Sequence, residues 1–381
     1  MHSSEHTVVA FSCILLLSGV SMATEKHAKF EPPDGRVLHG WGQHTILYEK
    51  EALPYILAAH HDCAIISVYF DLALVNGVTP DILARVETKH PEFIERFNGD
   101  TQRIGAFIEE YFPSPSRFAS FRQRTRKNYI PLIAVSWHGL NDKDIAEGKH
   151  DKEITQLADQ VKACNFPVFV RPGSEVGPYG YNETLKQTSR EHFAKMFRHC
   201  VDVFRKRQVD NAAFVWCTVG VESYDYWMDY YAGDDYVDWW GINYFRRTQI
   251  VGSEAYLEEA KKRNKPVMIC ESAPALPISN KGTASAESID DFFIPYFGIL
   301  DKHKHIKAFV YINIEWSAEA GSPFAHWPDS RIQSNGKVAD FYSSALSDRK
   351  FVHLADIQTP DDLQKLLGFE QTRVKKGTRA E

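Results

Sequence analysis

Ile130-Pro131-Leu132-Ile133-Ala134-Val135-Ser136-Trp137 reads apolar almost throughout, with no alternation of apolar and polar positions. A strand with one wet face alternates. A strand that reads as a continuous apolar run is covered on both faces, and such strands belong to parallel sheets. Working outward, similar runs occur at 37–41 (VLHGW), 64–70 (AIISVYF), 167–171 (PVFVR), 212–218 (AAFVWCT), 237–243 (VDWWGIN), 266–270 (PVMIC) and 306–314 (IKAFVYINI). Amphipathic helical patterns separate them at about 49–59, 99–122, 152–164, 190–205, 253–263, 286–302 and 337–346. Eight strands alternating with helices predict an α/β protein, a single-domain (β/α)8 barrel. The rival is a doubly wound open sheet, which normally carries a Gly-rich phosphate loop after its first strand. Here that position reads His39-Gly40-Trp41-Gly42-Gln43-His44, without G-x-G-x-x-G.

Composition narrows the function. The 381 residues are 44% hydrophobic and 25% charged, which excludes a disordered chain, a collagen and a coiled coil. A net charge of −6 argues against nucleic acid, because phosphate binding wants a basic surface. Aromatics reach 13%, with 8 Trp and 17 Tyr, enough to build a core and still stack on flat apolar faces such as sugar rings. The apolar run at 8–20 is too short to span a bilayer comfortably. Ser21-Met22-Ala23 follows with small residues at the −3 and −1 positions of a cleavage site. This pattern predicts a signal peptide over 1–23 and a secreted or periplasmic protein, not membrane-bound once mature. The barrel is expected over 24–355, and a short helix (PDDLQKLLGF) with a mobile polar tail over 356–381. Of six cysteines, Cys13 leaves with the signal. Cys63, Cys164, Cys200, Cys217 and Cys270 match no zinc or disulfide framework and read as buried thiols, with Cys164–Cys200 the one conceivable bridge.

Chemistry in such a barrel sits at the C-terminal ends of the strands. The fourth run ends Val170-Arg171-Pro172-Gly173-Ser174-Glu175, and the seventh ends Ile269-Cys270-Glu271. A carboxylate directly after a buried run is costly unless it faces a polar cavity. Two of them, three βα units apart, would face each other across the barrel mouth. A retaining glycosidase needs that arrangement: one carboxyl protonates the leaving oxygen, the other attacks the anomeric carbon. Glu222, after the fifth run, and Glu315, ending the eighth, compete as structural or substrate-binding carboxylates.

These residues resemble a known family. The segment from Pro167 through Arg171-Pro172-Gly173-Ser174-Glu175-Val176 looks like the Arg-Pro-x-His-Glu-Met-Asn motif of glycoside hydrolase family 26. That family belongs to clan A, the retaining (β/α)8 glycosidases, and includes β-mannanases. Tyr230-Tyr231-Ala232-Gly233-Asp234-Asp235-Tyr236-Val237-Asp238-Trp239-Trp240-Gly241 is similar to its Tyr-Tyr-Pro-Gly-Asp-x-Tyr-Val-Asp-x-x-Gly. Lys265-Pro266-Val267-Met268-Ile269-Cys270-Glu271 resembles the strand that carries the nucleophile. The resemblance implies Glu175 as acid/base and Glu271 as nucleophile, and runs from about 37 to 346. The chain departs from the motif at Ser174, where the family has His, and at Val176-Gly177-Pro178, where it has Met-Asn-Gly.

The resemblance and the strand ends together nominate a substrate-binding set. Arg171 would pair with a carboxylate and hold it ionised. Tyr244 ends the sixth run, near where the clan places a tyrosine that donates to the nucleophile. Trp316, just after Glu315, resembles the clan's aromatic floor of the central subsite. Trp137 and His138 end the third run, and Trp41 and Tyr179 are aromatics placed to stack on sugar. The expectation is a retaining hydrolase of β-linked polysaccharide, mannan first, needing no metal or organic cofactor. The alternative is a barrel that binds glycan without cleaving it, suggested by the departures at Ser174 and Val176.

Overall fold

Each of the eight apolar runs forms a strand in the computed structural model, which describes residues 28–42, 62–89, 95, 98–137, 140–177, 189–274, 282–316 and 326–370. The strands are β1 (Val37–Gly42), β2 (Ile65–Asp71), β3 (Ile130–Ser136), β4 (Val168–Pro172), β5 (Ala212–Val219), β6 (Trp239–Tyr244), β7 (Val267–Ser272), β8 (Ile306–Ile312) and a short β9 (Phe351–Val352). Their order is β2-β3-β4-β5-β6-β7-β8-β1-β9, and β1 also pairs in parallel with β2, closing a (β/α)8 barrel. Nearly every position of β1 to β8 is buried, as double-faced coverage requires. The short β9 extends the sheet beside β1, with Val37 opposite Phe351.

Helices α1 (Pro80–Lys89), α2 (Thr101–Tyr111), α3 (Pro115–Thr125), α4 (Asp142–Ala146), α5 (Asp151–Cys164), α6 (Arg190–Lys206), α7 (Arg247–Val251), α8 (Glu254–Lys262), α9 (Ile294–Lys302), α10 (Gly336–Leu346) and α11 (Pro360–Leu367) fill the connections. Helix α6 shows why. Phe193, Met196, Phe197, Cys200, Val201, Val203 and Phe204 recur at helical spacing and are all buried. Ser189 Oγ caps its start, accepting from His192 N at 3.2 Å. Two sequence expectations change. The single helix expected over 99–122 is two, α2 and α3, because Pro113 and Pro115 cannot donate within a helix, and Ser114 caps the new start. The helix expected over 286–302 begins as a π-helical turn, Ile289–Phe293, before α9. The helix expected over 49–59 lies outside the described residues.

The segment 28–36 crosses the N-terminal ends of the strands. Phe30 packs edge-on to Phe169 of β4, and Lys29 O accepts from the Trp239 indole at 2.7 Å. Lys307 of β8 is 2% exposed, and its ammonium is held by Asp34 Oδ1 at 2.6 Å. Leu363, Leu367 and Phe369 bring α11 and the residues after it onto the same core. Among the described residues, Cys63, Cys164, Cys200, Cys217 and Cys270 are free, buried thiols, with no Cys164–Cys200 bridge. None of the described helices is long and apolar enough to cross a membrane. The barrel is thus covered at its N-terminal end, and the polar groups of the site gather at the other.

Candidate active site

The chain after β4 is turned by two consecutive left-handed residues, Gly173 (φ +77°) and Ser174 (φ +56°). A Cβ on Gly173 would lie 2.5 Å from the Phe193 ring, so glycine serves both the backbone conformation and the close approach. The chain then rejoins the sheet. Val176 N donates to Cys217 O (3.1 Å), and Val219 N donates to Val176 O (3.0 Å). Glu175 is therefore pinned between a tight turn and a bridge to β5. Its carboxylate accepts a hydrogen bond from Asn243 Nδ2 of β6.

Glu271 is set by a second irregularity. Ile242 pairs with Ile269, but Asn243 pairs with Glu271, so Cys270 is the extra residue of a β-bulge. Glu271 faces into the barrel and is 4% exposed. Its Oε1 accepts from the Tyr69 hydroxyl of β2 at 2.6 Å and from Arg171 Nη2 of β4. Burial, and then the charge of Glu271, push the Tyr69 phenol well above its usual range, so it stays a donor. The charge of Glu175 also raises the Tyr69 pKa, and Asn243, which holds Glu175, pairs with Glu271 in the β6–β7 register. Burial is the largest influence on Arg171 and lowers its pKa, but Glu271, Cys217, Tyr69 and Cys270 together outweigh it, and the guanidinium stays firmly cationic.

Arg171, Glu175 and Glu271 are thus brought together, and Tyr69 and Asn243 join them without having been nominated from the sequence. Of the other nominees, Tyr244, Trp137 and Trp41 have partners away from the two carboxylates. Tyr244 is fully buried and donates to Ser253 Oγ at 2.7 Å, because the register of β6 turns Asn243, its neighbour, toward Glu175. Trp137 is fully buried with its indole on Asp142 Oδ1 at 3.2 Å, and Trp41 is 1% exposed with its indole on His39 Nε2 at 3.1 Å. Trp316 lies in a small apolar cluster with Val219, Phe245, Ala273, Ile312 and Ile314, at the C-terminal ends of β5 to β8. Its ring meets Trp327 at 5.0 Å, and its indole donates to Ser330 Oγ at 2.8 Å. His138 and Tyr179 lie outside the described residues. Glu222 pairs with Arg246 at 3.0 Å, and Glu315 with Arg331 at 2.8 Å. Outside the barrel, Glu254, Glu258 and His303 could together hold an ion, though Lys302 already reaches Glu254 at 2.7 Å.

Two carboxylates lie at the C-terminal strand ends of a (β/α)8 barrel, one held by an arginine and a tyrosine, the other by an asparagine, the arrangement expected of a glycosidase. The model of glycosyl hydrolase family 26 matches residues 112–305, about half of the chain, and the chain belongs to that family. A β-1,3-xylanase of a Vibrio species is 30% identical over 257 residues, covering 59% of this chain and 53% of its own. A β-1,3-xylanase of an Alcaligenes species is 27% identical over 261 residues, covering 59% and 52%. The chain therefore spans about half the length of these curated relatives. Among solved structures, GH26C from Muricauda sp. MAR_2010_75 superposes with a TM-score of 0.58 at 12% identity, covering 88% of this chain and 90% of that one. A Cellulomonas fimi endo-β-1,4-mannanase double mutant gives 0.56 at 14%, covering 85% and 74%. At these identities the structural likeness bears on the fold alone.

Proposed function

We propose that the chain is a retaining glycoside hydrolase that cleaves β-linked polysaccharide by double displacement. The observation that carries this reading is the pair of carboxylates held in contrasting environments. Glu271 is almost fully buried, and one of its oxygens takes a cation and a phenol, donors that suit an ionised nucleophile. Glu175 is half-buried and takes a neutral amide, which suits a group that must give and regain a proton. Glu271 attacks the anomeric carbon while Glu175 gives its proton to the departing glycosidic oxygen. Glu175 then takes a proton from water as that water displaces Glu271, and two inversions leave the configuration retained. These steps use carboxyl groups alone and require neither a metal nor an organic cofactor.

Among β-glycans, β-1,3-xylan is the first candidate, because the curated relatives matched by sequence are named as β-1,3-xylanases. β-Mannan, the expectation drawn from the motif, ranks second. Ser174 and Val176-Gly177 stand where the mannanase-type motif has His and Met-Asn, so the contacts beside the cleaved bond differ. Export from the cell, proposed from the apolar run at 8–20 and Ser21-Met22-Ala23, would bring the enzyme to such polymers. The test is reducing-sugar release from β-1,3-xylan, β-1,4-xylan, β-mannan, mixed-linkage glucan and alginate, with proton NMR of the first product. Release from a β-glycan with retained anomeric configuration is expected. Inversion would overturn the double displacement, and no release from any polymer would overturn the hydrolase.

A further inference from the structure

An unbroken chain of hydrogen bonds runs beneath the two carboxylates. Arg171 Nη2 donates to Glu271, and Arg171 Nη1 donates to Cys217 Sγ at 3.5 Å. Cys217 Sγ donates to Asn243 Oδ1 at 3.4 Å, and Asn243 Nδ2 donates to Glu175. We propose that Cys217 is a positioning residue: its S–H fixes the orientation of the Asn243 amide and so delivers the amide N–H, not its oxygen, to Glu175. This rests on the hydrolase reading for its consequence, and on the hydrogen-bond geometry for its existence.

Three observations carry it. An asparagine amide is nearly symmetric in shape, so its orientation is set by the groups around it. On one side lies a carboxylate, and on the other the thiol, which is the donor to Oδ1. The thiol is also a dependable donor. Burial pushes Cys217 well above the usual thiol range, so it keeps its one proton, for which Asn243 Oδ1 at 3.4 Å is a nearer acceptor than Thr218 O at 3.9 Å. Finally, the site is built to admit it. Gly241, between the two cysteines, has no Cβ; one placed there would meet Cys270 Sγ at 2.8 Å and Cys217 Cβ at 2.9 Å. The N–H on Glu175 favours its ionised form, the state that accepts a proton from water in the second step. With the amide reversed, Oδ1 would face the carboxyl and favour its protonated form instead.

The test is a 13C NMR titration of the Glu175 carboxyl in protein labelled at glutamate, its signal identified by loss in Glu175→Gln. Wild type is compared with Cys217→Ala, which removes the donor, and Cys217→Ser, which keeps one. We expect Cys217→Ala to raise the Glu175 pKa by about one unit, the size of a hydrogen bond to a charged group, and Cys217→Ser to return it toward the wild-type value. On a cleavable glycan, the basic limb of kcat/KM should move upward by the same amount in Cys217→Ala alone. An unchanged titration in Cys217→Ala, or equal shifts in Ala and Ser, would overturn the proposal. Thermal unfolding of each variant shows that it is folded. The titration needs no substrate: a shift without glycan cleavage would sink the hydrolase reading and leave the amide assignment standing, and cleavage without a shift would do the reverse.

Discussion

At the scale of single residues, the site turns on which side of a strand each side chain occupies. Tyr69 donates to Glu271 although the sequence pointed to Tyr244 for that task. A signal for it was present. Ser67, Tyr69 and Asp71 are polar at alternate positions of an otherwise apolar strand, and alternate residues share a face. Asn243 and Tyr244 adjoin at the end of β6, and only the register of the sheet, including the bulge at Cys270, decides which faces the mouth. Replacing Tyr69 by Phe removes one donor from a charged carboxylate. We predict a loss of about 10- to 100-fold in kcat with little change in stability, measured by steady-state kinetics and thermal unfolding. Arg171 is different in kind. Arg171→Met would leave Glu271 buried without its cation and cost about 3–5 kcal/mol at neutral pH. Urea unfolding of the variant beside wild type measures the cost.

At the scale of elements, the eight strands were legible because a strand buried on both faces carries its signature in composition alone. Every apolar run became a strand within about two residues. The helices were less so where prolines intervene: Pro113 and Pro115 divide α2 from α3, while the amphipathic pattern continues across the break. Two irregularities were invisible. The left-handed pair Gly173-Ser174 and the bulge at Cys270 aim the two carboxylates, yet each amounts to a deviation of one or two residues that periodicity cannot register. Gly173→Ala tests the first. It forces a Cβ into both a left-handed conformation and the Phe193 ring. The expected cost is about 1–3 kcal/mol. A displaced Glu175 should add a fall in kcat larger than any change in KM. A variant of wild-type stability and activity would show that the turn does not aim Glu175.

At the scale of the whole molecule, titrating groups outside the site shape the response to pH. His305, just before β8, is one. Burial lowers its pKa to about 4, despite the hydrogen bond to Leu257 O at 2.9 Å. A histidine whose folded pKa is depressed stays neutral in the fold while the unfolded chain takes up a proton below about 6.5. Its contribution to stability is therefore intact above that pH and is lost as pH falls toward 4. We predict that His305→Gln reduces the slope of stability against pH between about 6.5 and 4, an effect on the order of 2 kcal/mol over the window, read by urea unfolding. An unchanged slope would mean that other groups govern acid unfolding.

The central claim is that Glu175 and Glu271 act as one catalytic pair. Its most direct test is the turnover of the glycan that wild type cleaves, measured beside Glu175→Ala and Glu271→Ala, each shown to be folded. The account predicts that Glu271→Ala loses all measurable turnover and that Glu175→Ala falls by about 10²- to 10⁴-fold, the size of a general acid–base contribution. Turnover that survives Glu271→Ala would contradict it.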